Sequence, residues 1–184
     1  MIQNPEQIKI RDNIFDKKWV DDLAFYLSTN VSWYADNIAG RQSWPYGQIG
    51  QHRIMGRMLY KYNNWKDIVL YKREKFLELT EAFEHLAPNI KLKEIFANLQ
   101  FKGMDGTFHK DGDDNYKVFI LMLTCVDMNN DYPGGEFIVK DGEIVPFKQG
   151  RVIEFNGNVL HKAMSFNQPN IPRFSIKFGG YEKS

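Results

Sequence analysis

Three side chains able to bind a metal ion stand in a telling order in the second half of the chain. His109 is followed two positions on by Asp111, and His161 comes fifty positions after the aspartate. Two neutral imidazoles and one carboxylate can take one face of an Fe(II) ion and leave its other positions open. With one residue between them, His109 and Asp111 point to the same side of an extended segment, because side chains alternate with period 2. His161 must then arrive from a distant strand. Arg173 lies twelve positions beyond His161, with Ser175 two further on. A guanidinium fork and a hydroxyl on one strand face suit a dicarboxylate beside the metal.

The elements that must position these residues can be read from pattern. Asp12 or Asn13 is expected to cap a helix over residues 14–28, with Phe15, Trp19, Leu23, Tyr26 and Leu27 on its apolar face. A second helix is expected over 72–86, its stripe made by Phe76, Leu79, Phe83 and Leu86 and its end set by Pro88. Residues 33–57 are polar, aromatic and glycine-bearing without clean periodicity, as befits a lid or a meandering surface segment. A strand is expected over 58–62. After Pro88 the texture turns to short strands, at 95–101, 107–110, 117–126, 136–140, 151–155, 159–164 and 173–178. Gly, Asn, Asp and Pro clusters separate them. Gly134-Gly135 reads as a hairpin turn. Asn156-Gly157 reads as a tight turn that sets the register of the strand carrying His161. Many short strands with frequent turns indicate an antiparallel sandwich or barrel. With the helices, the expected class is α+β, mainly β: a jelly roll with N-terminal helices packed on one sheet.

Composition bounds the function. At 184 residues one domain is the default, with 1–93 as helical support and lid region and 94–184 as the core. A formal net charge of +1 gives no support to charge-driven nucleic-acid binding. The one cysteine, Cys125, lies in an apolar run, which suits a buried thiol and rules out a disulfide framework within the chain. No run approaches the roughly 18 apolar residues of a membrane span, and Met1-Ile2-Gln3-Asn4-Pro5 carries no apolar signal core. A cytoplasmic location is the expectation. His52 and His85 have no metal-ligand spacing and are set aside, His85 as a solvent-facing residue near a helix C-terminus.

The motif order extends well beyond the triad. Asn98-Leu99-Gln100-Phe101-Lys102-Gly103 precedes His109-Lys110-Asp111. Pro133-Gly134-Gly135-Glu136-Phe137, Gly150-Arg151-Val152-Ile153-Glu154-Phe155, Leu160-His161-Lys162-Ala163 and Arg173-Phe174-Ser175 follow. Over about residues 95–180 the chain resembles the Fe(II)/2-oxoglutarate-dependent dioxygenases, and within them the small prolyl 4-hydroxylase-like proteins. The resemblance implies a double-stranded β-helix core and hydroxylation of an unactivated C–H bond. Oxidative decarboxylation of the co-substrate 2-oxoglutarate by O2 would drive it, with ascorbate as reductant. It implies His109, Asp111 and His161 as metal ligands, and Arg173 with Ser175 at the co-substrate's 5-carboxylate. Asn98 and Gln100 are carried over as co-substrate residues from an Asn-x-Tyr pattern, from which Gln100 departs. Prolyl hydroxylases also place a Tyr within the strand after the His-x-Asp loop. Here that strand has none, and Tyr116 lies just before it. Arg rather than Lys at position 173 is a form common in oxygenases of small molecules and nucleic acids.

A prolyl residue in a peptide or protein is therefore the first substrate expectation, with Trp44, Tyr46 and Tyr116 as candidate substrate residues. A free amino acid or other small metabolite comes second and a nucleobase third. The competing class is a non-oxygenase cupin-like metal-binding or carbohydrate-binding module. Such proteins usually supply more histidines and a Glu between them, and this chain has four histidines in all.

Overall fold

The computed structural model describes residues 8–37, 54–61, 64–65, 73–124 and 133–183. Trp44, Tyr46, His52 and Cys125 lie outside the described residues, as does most of the segment read as a lid. Among the described residues, eleven strands and two helices run in the order β1 (Ile8–Arg11), α1 (Lys17–Asn30), β2 (Tyr34–Asn37), β3 (Ile54–Lys61), β4 (Asn64–Trp65), α2 (Arg73–Leu86), β5 (Ile90–Gln100), β6 (Tyr116–Met122), β7 (Phe137–Val139), β8 (Ile144–Val145), β9 (Val152–Asn156), β10 (His161–Ala163) and β11 (Arg173–Glu182). All pairings among them are antiparallel. The large sheet has the order β1-β9-β6-β11-β5-β3-β2, with β4 on β3, and the small one β10-β7-β8. The N-terminal half thus supplies four strands of the large sheet as well as the helices.

The large sheet is covered on both faces, and strict alternation along its strands decides what each face meets. Phe119, Leu121, Ile95, Ala97, Leu99, Phe174, Ile176 and Phe178 face Val20, Leu23 and Leu27 of α1 and Leu79, Phe83 and Leu86 of α2. Phe83 stacks on Phe178 at 5.4 Å and meets Phe119 edge-on at 5.6 Å. The intervening residues Val118, Ile120, Met122, Ile153 and Phe155 point the other way, onto Phe137, Val139 and Val145 of the small sheet. Burying a side chain such as Phe83 fully is worth about 1.5–3 kcal/mol, so the helices are held by these contacts more than by helix propensity.

Helix α1 begins later than its apolar pattern predicts. Asp16 is the cap, accepting the Trp19 amide at 3.1 Å. Asp12 does not cap because Arg151 claims it: Nε and Nη2 donate to its two oxygens at 2.8 and 2.9 Å, and Lys148 adds a third bond at 2.9 Å. This clamp ties the end of β1 to the turn before β9. The Arg151 bond, opposed by partial burial and helped by Lys148, holds the Asp12 carboxyl well below the usual carboxylate range. A depressed carboxyl adds stability that is complete above its unfolded value of about 3.9 and disappears as pH falls below it. Asp12→Asn is therefore expected to lower stability at pH 7 by about 1–2 kcal/mol. Urea unfolding at pH 7 and pH 3 checks this: the gap to wild type should narrow at pH 3, and an equal gap at both would contradict the clamp.

Two further expectations change and a third holds. Residues 107–110 are not a strand: His109 alone bridges His161, and the chain then turns at Gly112. Gly134-Gly135 is not a hairpin turn but an extension toward the small sheet, where Gly134 bridges Phe166. Asn156-Gly157 is the tight turn expected, closed by the Val159 amide on the Asn156 carbonyl at 3.0 Å, and it carries the chain from the large sheet to the small one, since β9 pairs with β1 and β6 and β10 with β7.

Candidate active site

His161 opens β10, whose partner is β7. The backbone of His109 is laid against it by two reciprocal bonds, His109 N to His161 O at 2.9 Å and His161 N to His109 O at 3.0 Å. Two residues on, the amides of Asp111 and Gly112 both donate to the Gly157 carbonyl, at 2.9 and 3.0 Å. The turn after β9 therefore fixes the carboxylate, and the short ladder fixes the two imidazoles. The ligand atoms of the three side chains lie within 4.8 Å of one another. His161 Nε2 is 3.5 Å from Asp111 Oδ2, and His109 Nε2 is 4.0 Å from Oδ1.

Both rings are held in the tautomer a metal needs. The Nδ1 of His109 lies 2.8 Å from the Thr107 carbonyl and that of His161 2.9 Å from the Val159 carbonyl. A carbonyl only accepts, so each Nδ1 carries the proton and each Nε2 presents its lone pair. Burial, against the opposing pull of Asp111, pushes His161 down to about 4 and keeps its imidazole neutral near pH 7. Phe137 stacks on the ring at 4.9 Å and Phe155 meets it edge-on at 4.6 Å. Burial works to raise Asp111. The Lys177 ammonium, then His161 and His109, outweigh it, and the carboxyl ends well below its usual range, ionised.

Arg173 faces the same cavity, of about 280 Å³, from the first position of β11. It is 1 % exposed, which makes its partners decisive. Nε donates to the Gly135 carbonyl at 3.0 Å, and Nη1 to Gln100 Oε1 at 2.9 Å and Ser175 Oγ at 3.3 Å. Nη2 is buried with no hydrogen-bond partner. Burial lowers the guanidinium to about 10, with Glu136 opposing, so it stays charged near neutrality. The Gly134-Gly135 pair now has a physical role. Both residues have positive φ, and a Cβ on Gly135 would sit 2.6 Å from the Phe166 ring. Only glycine lets the chain pass there and hand its carbonyl to Arg173.

The remaining predicted residues are placed as follows. Ser175 and Asn98 line the cavity. Gln100 lines it too, but its amide holds Arg173 through Oε1 and the Met104 and Ala163 carbonyls through Nε2, at 2.7 and 3.1 Å. It acts as a brace for the guanidinium. Tyr116, expected near substrate, is 6 % exposed and is not among the lining residues. Its phenol packs over Gly179, where a Cβ would be 1.9 Å from the hydroxyl, and bonds Glu94. Lys110 is exposed at the cavity's edge, as its place between two inward residues requires.

Besides apolar wall residues such as Ile54, Met58 and Phe96, two charged lining residues escaped the sequence reading. Lys177 Nζ donates to Asp111 Oδ1 at 3.0 Å and pairs with Glu94 Oε1 at 2.9 Å. The signal was present as alternation. Arg173, Ser175 and Lys177 lie on one face of β11 while Phe174, Ile176 and Phe178 lie on the other. Glu94, Phe96, Asn98 and Gln100 form the facing row on β5.

No family model matches the chain, and no curated protein matches it in sequence. Solved structures do match its fold. A 2OG-Fe(II) oxygenase family oxidoreductase from Burkholderia pseudomallei aligns with a TM-score of 0.66 at 16% identity, over 95% of this chain and 85% of that one. A prolyl-4-hydroxylase from Pseudomonas putida aligns at 0.63 and 12%, over 97% and 94%. HygX from Streptomyces hygroscopicus, with nickel, 2-oxoglutarate and hygromycin B bound, aligns at 0.65 and 11%, over 96% and 83%. The mostly β chain, with its helices on one face of the large sheet and its His-Asp-His cluster on the other, thus has the fold of the 2OG-Fe(II) oxygenases and prolyl hydroxylases.

Proposed function

We propose that this protein is an Fe(II)- and 2-oxoglutarate-dependent dioxygenase with a jelly-roll core that hydroxylates an unactivated C–H bond. One observation carries the reading: the His109–Asp111–His161 cluster shares a cavity with a buried arginine that has one donor unmatched. Asp111 Oδ2 is likewise buried without a hydrogen-bond partner. A divalent cation would satisfy the oxygen and a carboxylate the Nη2, so the residues fit both groups.

His109, Asp111 and His161 would hold the metal through Nε2, a carboxylate oxygen and Nε2. Arg173 would take the distal carboxylate of the dicarboxylate, with Ser175 beside it, and Gln100 and the Gly135 carbonyl would keep the fork aimed. The bound iron supplies dioxygen activation coupled to decarboxylation of the co-substrate. The chain's own task is to orient and to exclude water. Phe137 and Phe155 wall the metal side, while Ile54, Met58 and Phe96 give the cavity an apolar wall. That wall suits an aliphatic ring better than a stacked nucleobase, which calls for aromatic faces and a phosphate-tracking surface. A prolyl residue is the substrate we favour, in keeping with the Pseudomonas putida structure. A small molecule is the second reading, favoured by the small volume and by the hygromycin B complex of HygX.

The test is anaerobic titration of the Fe(II)-loaded protein with 2-oxoglutarate. A weak visible charge-transfer band that grows to saturation is expected, followed in air by succinate release with proline-containing peptides ahead of amino acids and oligonucleotides. Iron that binds without the band would remove the co-substrate reading and leave a cupin-like metal protein.

A further inference from the structure

The ion pairs around Asp111 have a consequence for how it can bind a metal. A carboxylate facing a divalent cation can give one oxygen or two. Here the two oxygens are unequal. Oδ1 already receives the Lys177 ammonium at 3.0 Å, whereas Oδ2 is buried, without a hydrogen-bond partner and 3.5 Å from His161 Nε2. Lys177 is itself gripped from behind: Glu94 Oε1 lies 2.9 Å from the same nitrogen, and the Tyr116 phenol bonds Glu94. A cation drawing on Oδ1 would have to displace the ammonium inside a buried site, leaving it with Glu94 alone. Stripping one partner from a buried, hydrogen-bonded charge is costly.

Charge bookkeeping supports the same assignment. Asp111 and Glu94 are balanced by Lys177 and Arg173, so these four groups sum to zero. A divalent cation and a dianionic co-substrate also sum to zero. The site therefore stays neutral when both enter together, and it would be one charge short if Lys177 were absent.

We infer that Lys177, held by Glu94, is a positioning residue that keeps Asp111 a one-oxygen ligand and so preserves the coordination position that a two-oxygen carboxylate would occupy. The inference rests on the proposed metal and co-substrate site. Two imidazoles, one carboxylate oxygen and a chelating dicarboxylate would supply five donors, and dioxygen would need a sixth position. A second oxygen from Asp111 would close that position or compete with the dicarboxylate.

Co(II) serves as the probe, because its visible ligand-field bands report coordination number without turnover. Lys177→Met alone leaves two partly buried carboxylates facing each other, so the Lys177→Met/Glu94→Gln double variant carries the test and Glu94→Gln alone is its control. In the double variant one cation and one anion are removed together and the local net charge is unchanged, so Co(II) affinity is expected to hold, or to tighten because the group in contact with Asp111 is the cation. The ligand-field bands should change before any dicarboxylate is added, and 2-oxoglutarate affinity should fall by roughly 10-fold or more, because a second Asp111 oxygen would compete for the positions the dicarboxylate chelates. In Glu94→Gln the ammonium still sits on Oδ1, so bands and affinity should stay close to wild type. A double variant with wild-type bands and wild-type 2-oxoglutarate affinity would overturn the inference. So would a Glu94→Gln protein showing the whole effect, or a double variant that does not fold or that loses Co(II) and 2-oxoglutarate together, since each makes the pair general scaffolding. Wild-type protein that takes up Co(II) and 2-oxoglutarate leaves the proposed function standing in those cases, whereas wild-type protein that takes up neither removes both readings at once.

Discussion

Replacing His161 with Ala is expected to abolish metal-dependent turnover and to lower metal affinity steeply. As a metal ligand the ring would supply a nitrogen already free of its proton, since Nδ1–H is committed to the Val159 carbonyl and burial keeps the imidazole neutral near pH 7. No rearrangement or proton release is needed when a cation arrives. Loss of an outer partner typically costs about 10–100-fold in affinity, so loss of the ligand itself should exceed roughly 100-fold. The variant also empties a space between Phe137 and Phe155. A drop in melting temperature should therefore accompany the effect without explaining it. Isothermal titration with Co(II) or Mn(II) on variant protein shown to be folded by circular dichroism separates the two. Folded His161→Ala protein with near-native metal affinity would take His161 out of the metal site.

Much of this site was legible because its chemistry is written in strand periodicity. Arg173 and Ser175 share a face of β11, as alternation requires, whereas His109 and Asp111 converge outside any strand, held by the His161 backbone and the Gly157 carbonyl. What the pattern could not convey was the division of labour among polar neighbours. Asn98 and Gln100 alternate onto one face, but only coordinates show that the Gln100 amide is fully engaged by Arg173, Met104 and Ala163. Tyr116 was read by its place before a strand. Its true setting depends on a long-range approach to Gly179, which pairs with Val118 across β6 and β11. Lys177 and Glu94 were overlooked because a lysine and a glutamate in apolar strands look like ordinary solvent-facing charges, and nothing local says that the face they occupy is the inner one. β1 was missed for another reason. Four residues at an edge carry too short a pattern to stand out, and its pairing with β9 spans most of the chain. The α1 boundary shifted because Asp12 had a stronger partner, Arg151, far away in sequence.

Arg173→Ala should produce the second large effect, and its signature differs from that of His161→Ala. Metal binding should persist, since none of the three ligands hydrogen-bonds the guanidinium among the bonds that hold it. Affinity for 2-oxoglutarate should fall by about 100-fold or more, because hydrogen bonds to a charged partner are worth about 1.5–3 kcal/mol each in a site of this kind and the unmatched Nη2 has two N–H groups to give. Arg173→Lys keeps the charge but loses the fork, the hold on Gly135 and the brace from Gln100. It should recover only part of the loss. Stability offers an independent readout. Wild-type Arg173 is buried with Nη2 unmatched, and a ligand that matches it stabilises the folded state in proportion to RT ln(1 + [L]/Kd), about 2.7 kcal/mol at a hundredfold excess over Kd. Metal-loaded wild-type protein should therefore melt several degrees higher in saturating 2-oxoglutarate, while Arg173→Ala at the same concentration should not respond. Succinate at matched concentration is the control, since it offers a distal carboxylate without the keto oxygen and should give a smaller rise that also vanishes in the variant. If Arg173→Ala keeps the wild-type thermal response to 2-oxoglutarate, the guanidinium is bracing the junction of β5, β11 and the Gly134-Gly135 segment, and the carboxylate must be held elsewhere in the cavity.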